Sequence, residues 1–417
     1  MKTIVIKEKE NTRVPFLRGI LTRSLLDAGL VFEDSFKLAT QVRDDLVDSA
    51  EISSGAIRSK ICDLLKKHGH LEALELYRLP HAGLARIQVI GQSGEVSSFS
   101  RSRHERYLQA SGIKADKSEQ ITARIYNQFL AAGVSTISNS QLAYLTYLCL
   151  RQEVSKKAAK RYLVWSEFQR SARPLLLLIC GTVGTGKSTV ATEIAHVLDI
   201  VRIQSTDMLR EVMRMMLPNR LLPILHTSSF NAWQALPIHG IEDRDKDQLV
   251  ADGYRSQADL LAVPCDAVLH RAIEESVPMI LEGVHAHPEI VSRLPSDSGA
   301  IVVHVTLAVL KPKELKSRLR GRGVAVPQRR AKRYLSNFDA VWSLQSFLLS
   351  EADRCNVPII TNDDKEKAVL QIILQVVEEL SRHFDGSPGM IFGPIAESEG
   401  EAVDRVPWKR LVSRLNG

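Results

Sequence analysis

The sequence predicts an α/β core, a parallel sheet flanked by helices, preceded by a mainly helical region built from two repeats. Three observations carry this. A glycine-rich loop at Gly181–Ser188 lies between an apolar strand-like run and a helical one. Strand-like and helix-like segments alternate from Pro174 to Ser381. The opening segment also matches the next one when slid along the chain by about 83 to 85 positions.

The chain has 417 residues, enough for two or three cores rather than one small domain. A net charge of +7 suits a phosphate-bearing partner without separating a nucleic acid from a small anion. Five scattered cysteines, with no CxxC and no secretory leader after Met1, speak for a reducing compartment and against a disulfide framework. They are expected to be free, buried thiols. The run Leu175 to Cys180 is far shorter than the ~20 residues a bilayer requires. A cytoplasmic protein without membrane attachment is expected.

The repeat pairs Phe16, Arg18, Leu25 and Gly29 with Phe99, Arg101, Leu108 and Gly112. After a two-residue insertion, Ile52-Ser53-Ser54 meets Ile137-Ser138-Asn139, and Tyr77 meets Tyr162. Leu38, Val42 and Leu46 follow helical spacing, as do Ile121, Ile125 and Phe129. Each copy opens on an extended run, Thr3 to Ile6 and Ile87 to Ile90. The first copy resembles the ATP-cone, a regulatory nucleotide-binding module with a hairpin ahead of a helical bundle, and the other copy resembles a worn version of it. The family's basic-acidic-glycine turn is replaced by Lys7-Glu8-Lys9-Glu10 and by Gly91-Gln92-Ser93-Gly94. A packing or self-association module is the alternative, with a homo-oligomer formed through the repeats. The expected boundaries are 1–83 and 84–170 for the repeats, the latter including a helix from Ser155 to Gln169, then 171–384 for the α/β core and 385–417 for a loosely packed tail.

Gly181-Thr182-Val183-Gly184-Thr185-Gly186-Lys187-Ser188 is G-x-x-x-x-G-K-[ST] in its strand-to-helix context. Its backbone N–H groups, from Gly181 through Thr189, are expected to cradle the phosphates of ATP. Lys187 would meet the β and γ phosphates, and Ser188 would supply an oxygen to Mg²⁺. The second strand, Ile200 to Ile203, leads into "STDMLREVMR". Asp207, Arg210, Glu211 and Arg214 are expected to share a helical face at the carboxyl end of the sheet, where ligands bind in open α/β folds. Asp207 can take or orient a hydroxyl proton while Arg210 or Arg214 forks onto a phosphate or carboxylate. A plain N-cap beside solvent-facing arginines is the alternative.

Strand Pro278 to Leu281 ends at "LEGVHAHP". Glu282 lies where an acid would hold Mg²⁺ through water, and His285 is a substrate contact or loop packing. A fourth strand, Ala300 to Leu307, precedes the most basic stretch, in the position where small-molecule kinases carry an arginine lid. Arg318, Arg320, Arg322, Arg329, Arg330 and Arg333 are candidates, with Arg322 and Arg329 expected to act on the transferring phosphoryl group. Strand Val357 to Thr361 and helix Lys365 to Ser381 complete the core.

On "GTVGTGKST", "STDMLREVMR", "LHTSSFNAWQAL", "LEGVHAHP" and "RRAKRYLSNFDAVWSLQSFLLSEADRCNVPII", the sequence resembles the 2-phosphoglycerate kinases, in which an ATP-cone-like segment precedes a P-loop kinase domain. The resemblance covers nearly all of Leu175 to Leu380. It implies transfer from ATP to the 3-hydroxyl of 2-phosphoglycerate, giving 2,3-bisphosphoglycerate, with Leu225 to Leu236 as a substrate cap and Thr227, Ser228 and Ser229 as phosphate donors. Relatives with similar cores keep an inositol phosphate or another anionic metabolite open as acceptor, and a nucleotide-dependent regulatory ATPase is a further alternative. A small phosphorylated anion is favoured over nucleic acid as partner.

Overall fold

Leu175 to Cys180 contains no polar break, the pattern of a strand covered on both faces. In the computed structural model, which describes residues 4–7, 12–46, 51–78, 87–91, 93–237, 245–295, 298–321, 329–393 and 407–413, all six are buried. The elements run in chain order as follows. The first repeat contains β1 (Ile4–Lys7), β2 (Thr12–Pro15), α1 (Arg18–Asp27), α2 (Phe32–Asp45), β3 (Glu51–Ser53), α3 (Ser54–Lys67) and α4 (Leu71–Arg78). The second contains β4 (Gln88–Ile90), β5 (Val96–Ser98), α5 (Arg101–Ala110), α6 (Ala115–Ala131), β6 (Thr136–Ser138), α7 (Asn139–Glu153) and α8 (Lys156–Arg170). The core follows with β7 (Leu175–Cys180), α9 (Lys187–Leu198), β8 (Arg202–Ser205), α10 (Thr206–Met216), α11 (Lys246–Glu274), β9 (Met279–Glu282), β10 (Ile301–Ala308), α12 (Pro312–Gly321), α13 (Arg329–Ser336), α14 (Phe338–Arg354), β11 (Ile359–Thr361) and α15 (Lys365–Leu380). Two short helices, α16 (Pro388–Phe392) and α17 (Trp408–Ser413), end the described chain.

Each repeat builds a small sheet of the same design. β1 pairs antiparallel with β2 and parallel with β3, and β4 pairs likewise with β5 and β6. Val5 faces Ile52 in the first register and Val89 faces Ile137 in the second. The helix ends correspond too. Gly29 and Gly112 take positive φ after α1 and α5, and the next N–H, of Leu30 and of Ile113, returns to the carbonyl of Leu25 and of Leu108. That is the helix-stop geometry for which glycine is preferred. Glu8, Lys9 and Glu10 of the first expected hairpin turn, and Gln92 of the other, lie outside the described residues.

The chain divides into two compact units, one of Met1–Phe99, Ala123–Asn139 and Lys409–Gly417, the other of Ser100–Thr122 and Ser140–Trp408. In the first, Leu25, Leu38, Val42, Leu46, Ile61 and Leu65 form a core. In the second, five parallel strands lie in the order β11-β10-β7-β9-β8. One sheet face packs on α9, α15 and α8, through Val190, Ile194, Ile372, Val376, Trp165 and Phe168. Helices α11, α12 and α14 share a second core, through Tyr254, Leu315, Leu319, Val341 and Leu344. No described helix is long and apolar enough to cross a membrane.

Several expectations change. Strand limits move by one or two residues, most at β8, which begins at Arg202 rather than Ile200, because Ile200 is buried in the turn after α9 instead. The unit holding the sheet extends beyond 171–384: α8 belongs to its core, so the expected boundary at 171 falls inside a packed body. The tail is not loosely packed where it is described. Phe392 is buried with its ring 5.2 Å from that of Tyr144, and Trp408 is buried with its indole N–H donating to Glu153 at 2.8 Å. Large aromatic area outweighs the Gly and Pro content there. Of the cysteines, Cys149, Cys180 and Cys265 are buried, but Cys62 and Cys355 are only partly so.

Candidate active site

The phosphate loop leaves β7 at Gly181 and enters α9 at Lys187. Gly186 shows why the motif is strict: its φ is +89°, and a Cβ there would stand 2.5 Å from the side-chain nitrogen of Asn362. That nitrogen donates to the Thr185 carbonyl at 2.7 Å, so the loop is pinned from the residue just after β11. Lys187 is buried and its Nζ donates to the Thr182 carbonyl at 2.9 Å. Ser188 Oγ donates to Glu282 Oε1 at 2.9 Å. The parallel pairing of Ile179 with Glu282 brings about that meeting of residues 94 apart in sequence. A hydroxyl and a buried carboxylate are hard oxygen donors, and the pair fits a Mg²⁺ site.

Helix α10 starts beyond the carboxyl end of β8. Ser205 caps it by accepting the Asp207 N–H at 3.2 Å, so Asp207 itself is not the N-cap. The expected polar face is split by exposure. The Asp207 side chain is 65% exposed, whereas that of Arg210 is 18% exposed, with Nη2 3.6 Å from Asp207 Oδ1 and Nη1 donating to the Thr227 carbonyl at 3.0 Å. Arg214 pairs with Glu211 at 2.8 Å.

The segment from 223 to 236 forms two 3₁₀ turns, Pro223–His226 and Ser229–Ala235. Among its hydroxyls, that of Thr227 donates to the Ile224 carbonyl and that of Ser228 accepts from Arg333 at 2.6 Å. Asn231 donates to Asn337 at 3.2 Å, and the Phe230 and Tyr334 rings lie 5.9 Å apart. The cap is thereby stitched to α13 and to the start of α14. Of the lid arginines, Arg318 is occupied by Glu314 and the Asn362 carbonyl, Arg320 is exposed, and Arg333 holds Ser228. Arg322 lies outside the described residues, and Arg329 opens α13.

His285 is buried, its ring stacked on Tyr254 at 5.8 Å and its Nε2 2.8 Å from Gln257 Oε1. Burial pushes its pKa down to about 3, with Arg210 and Lys187 acting in the same direction against Asp207. The imidazole is therefore neutral at physiological pH. A cavity of about 380 Å³ adjoins His285 and His287, bounded also by Arg255, Asp259, Glu351 and Arg354. No residue of the phosphate loop lines it, and Arg354 is paired with Glu289 and Glu351 inside it.

Gln257 and Asn362 are the site residues that motif reasoning passes over. Asn362 carries one usable signal, its place at the carboxyl end of a core strand. Gln257 carries none, being one polar residue in a 29-residue helix.

Residues 177–338 match a family model described as an AAA domain. The 2-phosphoglycerate kinase of Pyrococcus furiosus is 32% identical over 294 residues, spanning 70% of this chain and 94% of that protein. The 2-phosphoglycerate kinase of Pyrococcus horikoshii is 31% identical over the same length and shares. That of Methanopyrus kandleri is 31% identical over 296 residues, 71% of this chain and 88% of that protein. The chain belongs to the 2-phosphoglycerate kinase family. It is an ATP-dependent phosphotransferase, and the matched length in each relative leaves little of that protein uncovered.

Proposed function

We propose that this chain transfers the γ-phosphoryl group of ATP to the 3-hydroxyl of 2-phosphoglycerate, giving ADP and 2,3-bisphosphoglycerate. The observation that supports it most is Arg210, largely covered, held beside Asp207 and under a cap that Arg333 ties down at Ser228. A hydrolase acting on water has no use for a guanidinium reserved beside a carboxylate, whereas an acceptor that is already an anion does.

The backbone of Gly181 to Thr189 holds the phosphates, and Lys187 exchanges the Thr182 carbonyl for the β and γ phosphate oxygens. Ser188, and Glu282 through water, would hold Mg²⁺, which when bound would supply positive charge to those oxygens. Arg210 and Arg214 take the phosphate and carboxylate of the acceptor, with Ser228 and His285 at its edge. Asp207 orients the 3-hydroxyl and receives its proton as the new O–P bond forms and the bond to the bridging oxygen of ADP breaks. Arg322 and Arg329 meet the charge that develops on the transferring group. The N-terminal repeats modulate or assemble the catalytic segment and carry no chemistry of their own. Their ATP-cone-like character rests on the repeated strand order and on the sequence resemblance.

ADP release with Mg²⁺-ATP across phosphoglycerates, inositol phosphates and oligonucleotides tests the proposal. Turnover confined to 2-phosphoglycerate is expected. ADP formation that ignores the acceptor, or that follows an inositol phosphate, would overturn it.

A further inference from the structure

Gln257 is fully buried near the middle of α11, and both ends of its amide are committed. Nε2 donates to the Ile224 carbonyl at 2.5 Å and reaches the Thr227 carbonyl at 3.4 Å. Oε1 faces His285 Nε2 at 2.8 Å. With its nitrogen turned to two carbonyls, the amide can offer His285 only an acceptor, so the proton of that hydrogen bond belongs to His285 Nε2. A neutral imidazole has one N–H, and Nδ1 is then a bare lone pair. That Nδ1 is buried and has no hydrogen-bond partner among the described residues. The Thr227 carbonyl that Gln257 approaches is the one Arg210 grips at 3.0 Å, and the backbone N–H of His285 approaches the hydroxyl of Thr206, the first residue of α10, at 3.4 Å. One amide thus joins the cap, the arginine helix and the loop after β9. Buried polar atoms without partners are rare and usually have a reason.

We propose that Gln257 is a positioning residue for the acceptor site: it fixes His285 as the Nε2–H tautomer and anchors the cap, so that Nδ1 is held ready to accept a hydrogen bond from a hydroxyl of the bound phosphorylated acid. Such an arrangement favours an acceptor carrying a hydroxyl beside its anionic groups over the same anion without one, because a deoxy analogue leaves Nδ1 unpaired. The proposal rests on the kinase reading of this site.

Two measurements on the full chain test it. In protein labelled with ¹⁵N-histidine, ring nitrogen shifts report the tautomer of His285, assigned by the signals lost in His285→Phe. The neutral Nε2–H form is expected across pH 6 to 8, and the Nδ1–H form would overturn the proposal without reference to any activity. Gln257→Met keeps the volume and removes the amide. It is expected to raise KM for 2-phosphoglycerate about tenfold, the worth of one hydrogen bond, while KM for ATP stays within about twofold. Because Gln257 acts partly through His285, the double variant with His285→Phe should lose less than the product of the two single effects. Multiplying effects, an unchanged acceptor KM, or equal rises for both substrates would each overturn it. If wild-type protein turned over no acceptor, the function proposal would fail while the tautomer spectrum still decided the role of Gln257.

Discussion

Three histidines, His285 and His304 buried and His104 partly covered, make the unit that holds the sheet sensitive to mild acid. His104 sits between the Thr122 and Thr146 hydroxyls, His285 on Gln257, and His304 on the Ala286 carbonyl. Burial pushes their pKa values down to about 4, about 3 and about 4. In the unfolded chain each titrates near 6.5. The folded values are depressed, so the unfolded state binds more protons below pH 6.5, and stability present above that value is lost as pH falls toward 4. For one such histidine the loss between pH 7.5 and 5 is about 2 kcal/mol. Three give about 6 kcal/mol, against a total stability of order 5–15 kcal/mol for an ordinary domain. His287, shifted the same way by burial, adds to the slope. The carboxylates held below their usual range, such as Glu275 beside Arg202 and Arg271, lose their contribution only below about pH 5, outside this window.

The assay is the guanidinium unfolding midpoint at half-unit steps from pH 7.5 to 5, read at the tryptophan fluorescence. The limiting slope should approach about 4 kcal/mol per pH unit, three protons' worth. His304→Asn should remove about a third of it, whatever that variant does to stability at pH 7.5. A total loss below about 2 kcal/mol, or a slope that His304→Asn leaves unchanged, would refute the assignment of these rings as neutral.

Asn362→Ala strips the Thr185 carbonyl of its side-chain donor and should raise KM for ATP about tenfold with a smaller effect on kcat, as steady-state kinetics would show. A chain beginning at Ser171 loses Trp165 and Phe168 from the core they share with β7, and should be insoluble or lack a cooperative thermal transition in calorimetry. Gly253→Ala should loosen the cap, raising KM for the acceptor and lowering Tm, both measurable on one preparation.

The catalytic half of the fold is legible because its signals are local. A phosphate loop is contiguous, and a strand buried on both faces announces itself as an apolar run. The Ser188 to Glu282 meeting follows from placing the phosphate loop after β7 and Glu282 at the end of β9, two strands that parallel pairing then brings together. What escapes notice is what depends on three dimensions alone. The boundary at 171 looks sound from Arg173-Pro174, yet Val164, Trp165 and Phe168 of α8 are spaced to cover a sheet, not to end a helical domain. His285 reads from sequence as a polar residue at a binding loop; only Gln257, 28 residues earlier and without a motif, shows why it is buried. Glycine in a helix is equally ambiguous, and Gly253 is the sharpest case.

In sequence, Gly253 is a helix-weakening residue whose replacement by alanine should gain up to about 1 kcal/mol from propensity. In the structure, a Cβ at that position would lie 2.1 Å from the backbone nitrogen of Trp233 and 2.5 Å from its Cα. These are backbone atoms of the 3₁₀ turn Ser229–Ala235, not the end of a flexible side chain, so the turn must move by an ångström or more. The turn is bound on its other side by Asn231 to Asn337 and by Phe230 against Tyr334, and the adjoining Ser228 by Arg333. Overpacking of this kind typically costs about 1–3 kcal/mol, which exceeds the propensity gain and fixes the sign as destabilising. The displaced turn would carry Thr227 with it, and Arg210 and Gln257 would lose the carbonyl they share. Acceptor KM should therefore rise more than the KM for ATP, whose loop is pinned separately by Asn362. A variant with a higher Tm and an unchanged acceptor KM would show that the cap yields freely, and that its contact with α11 does not set the acceptor site.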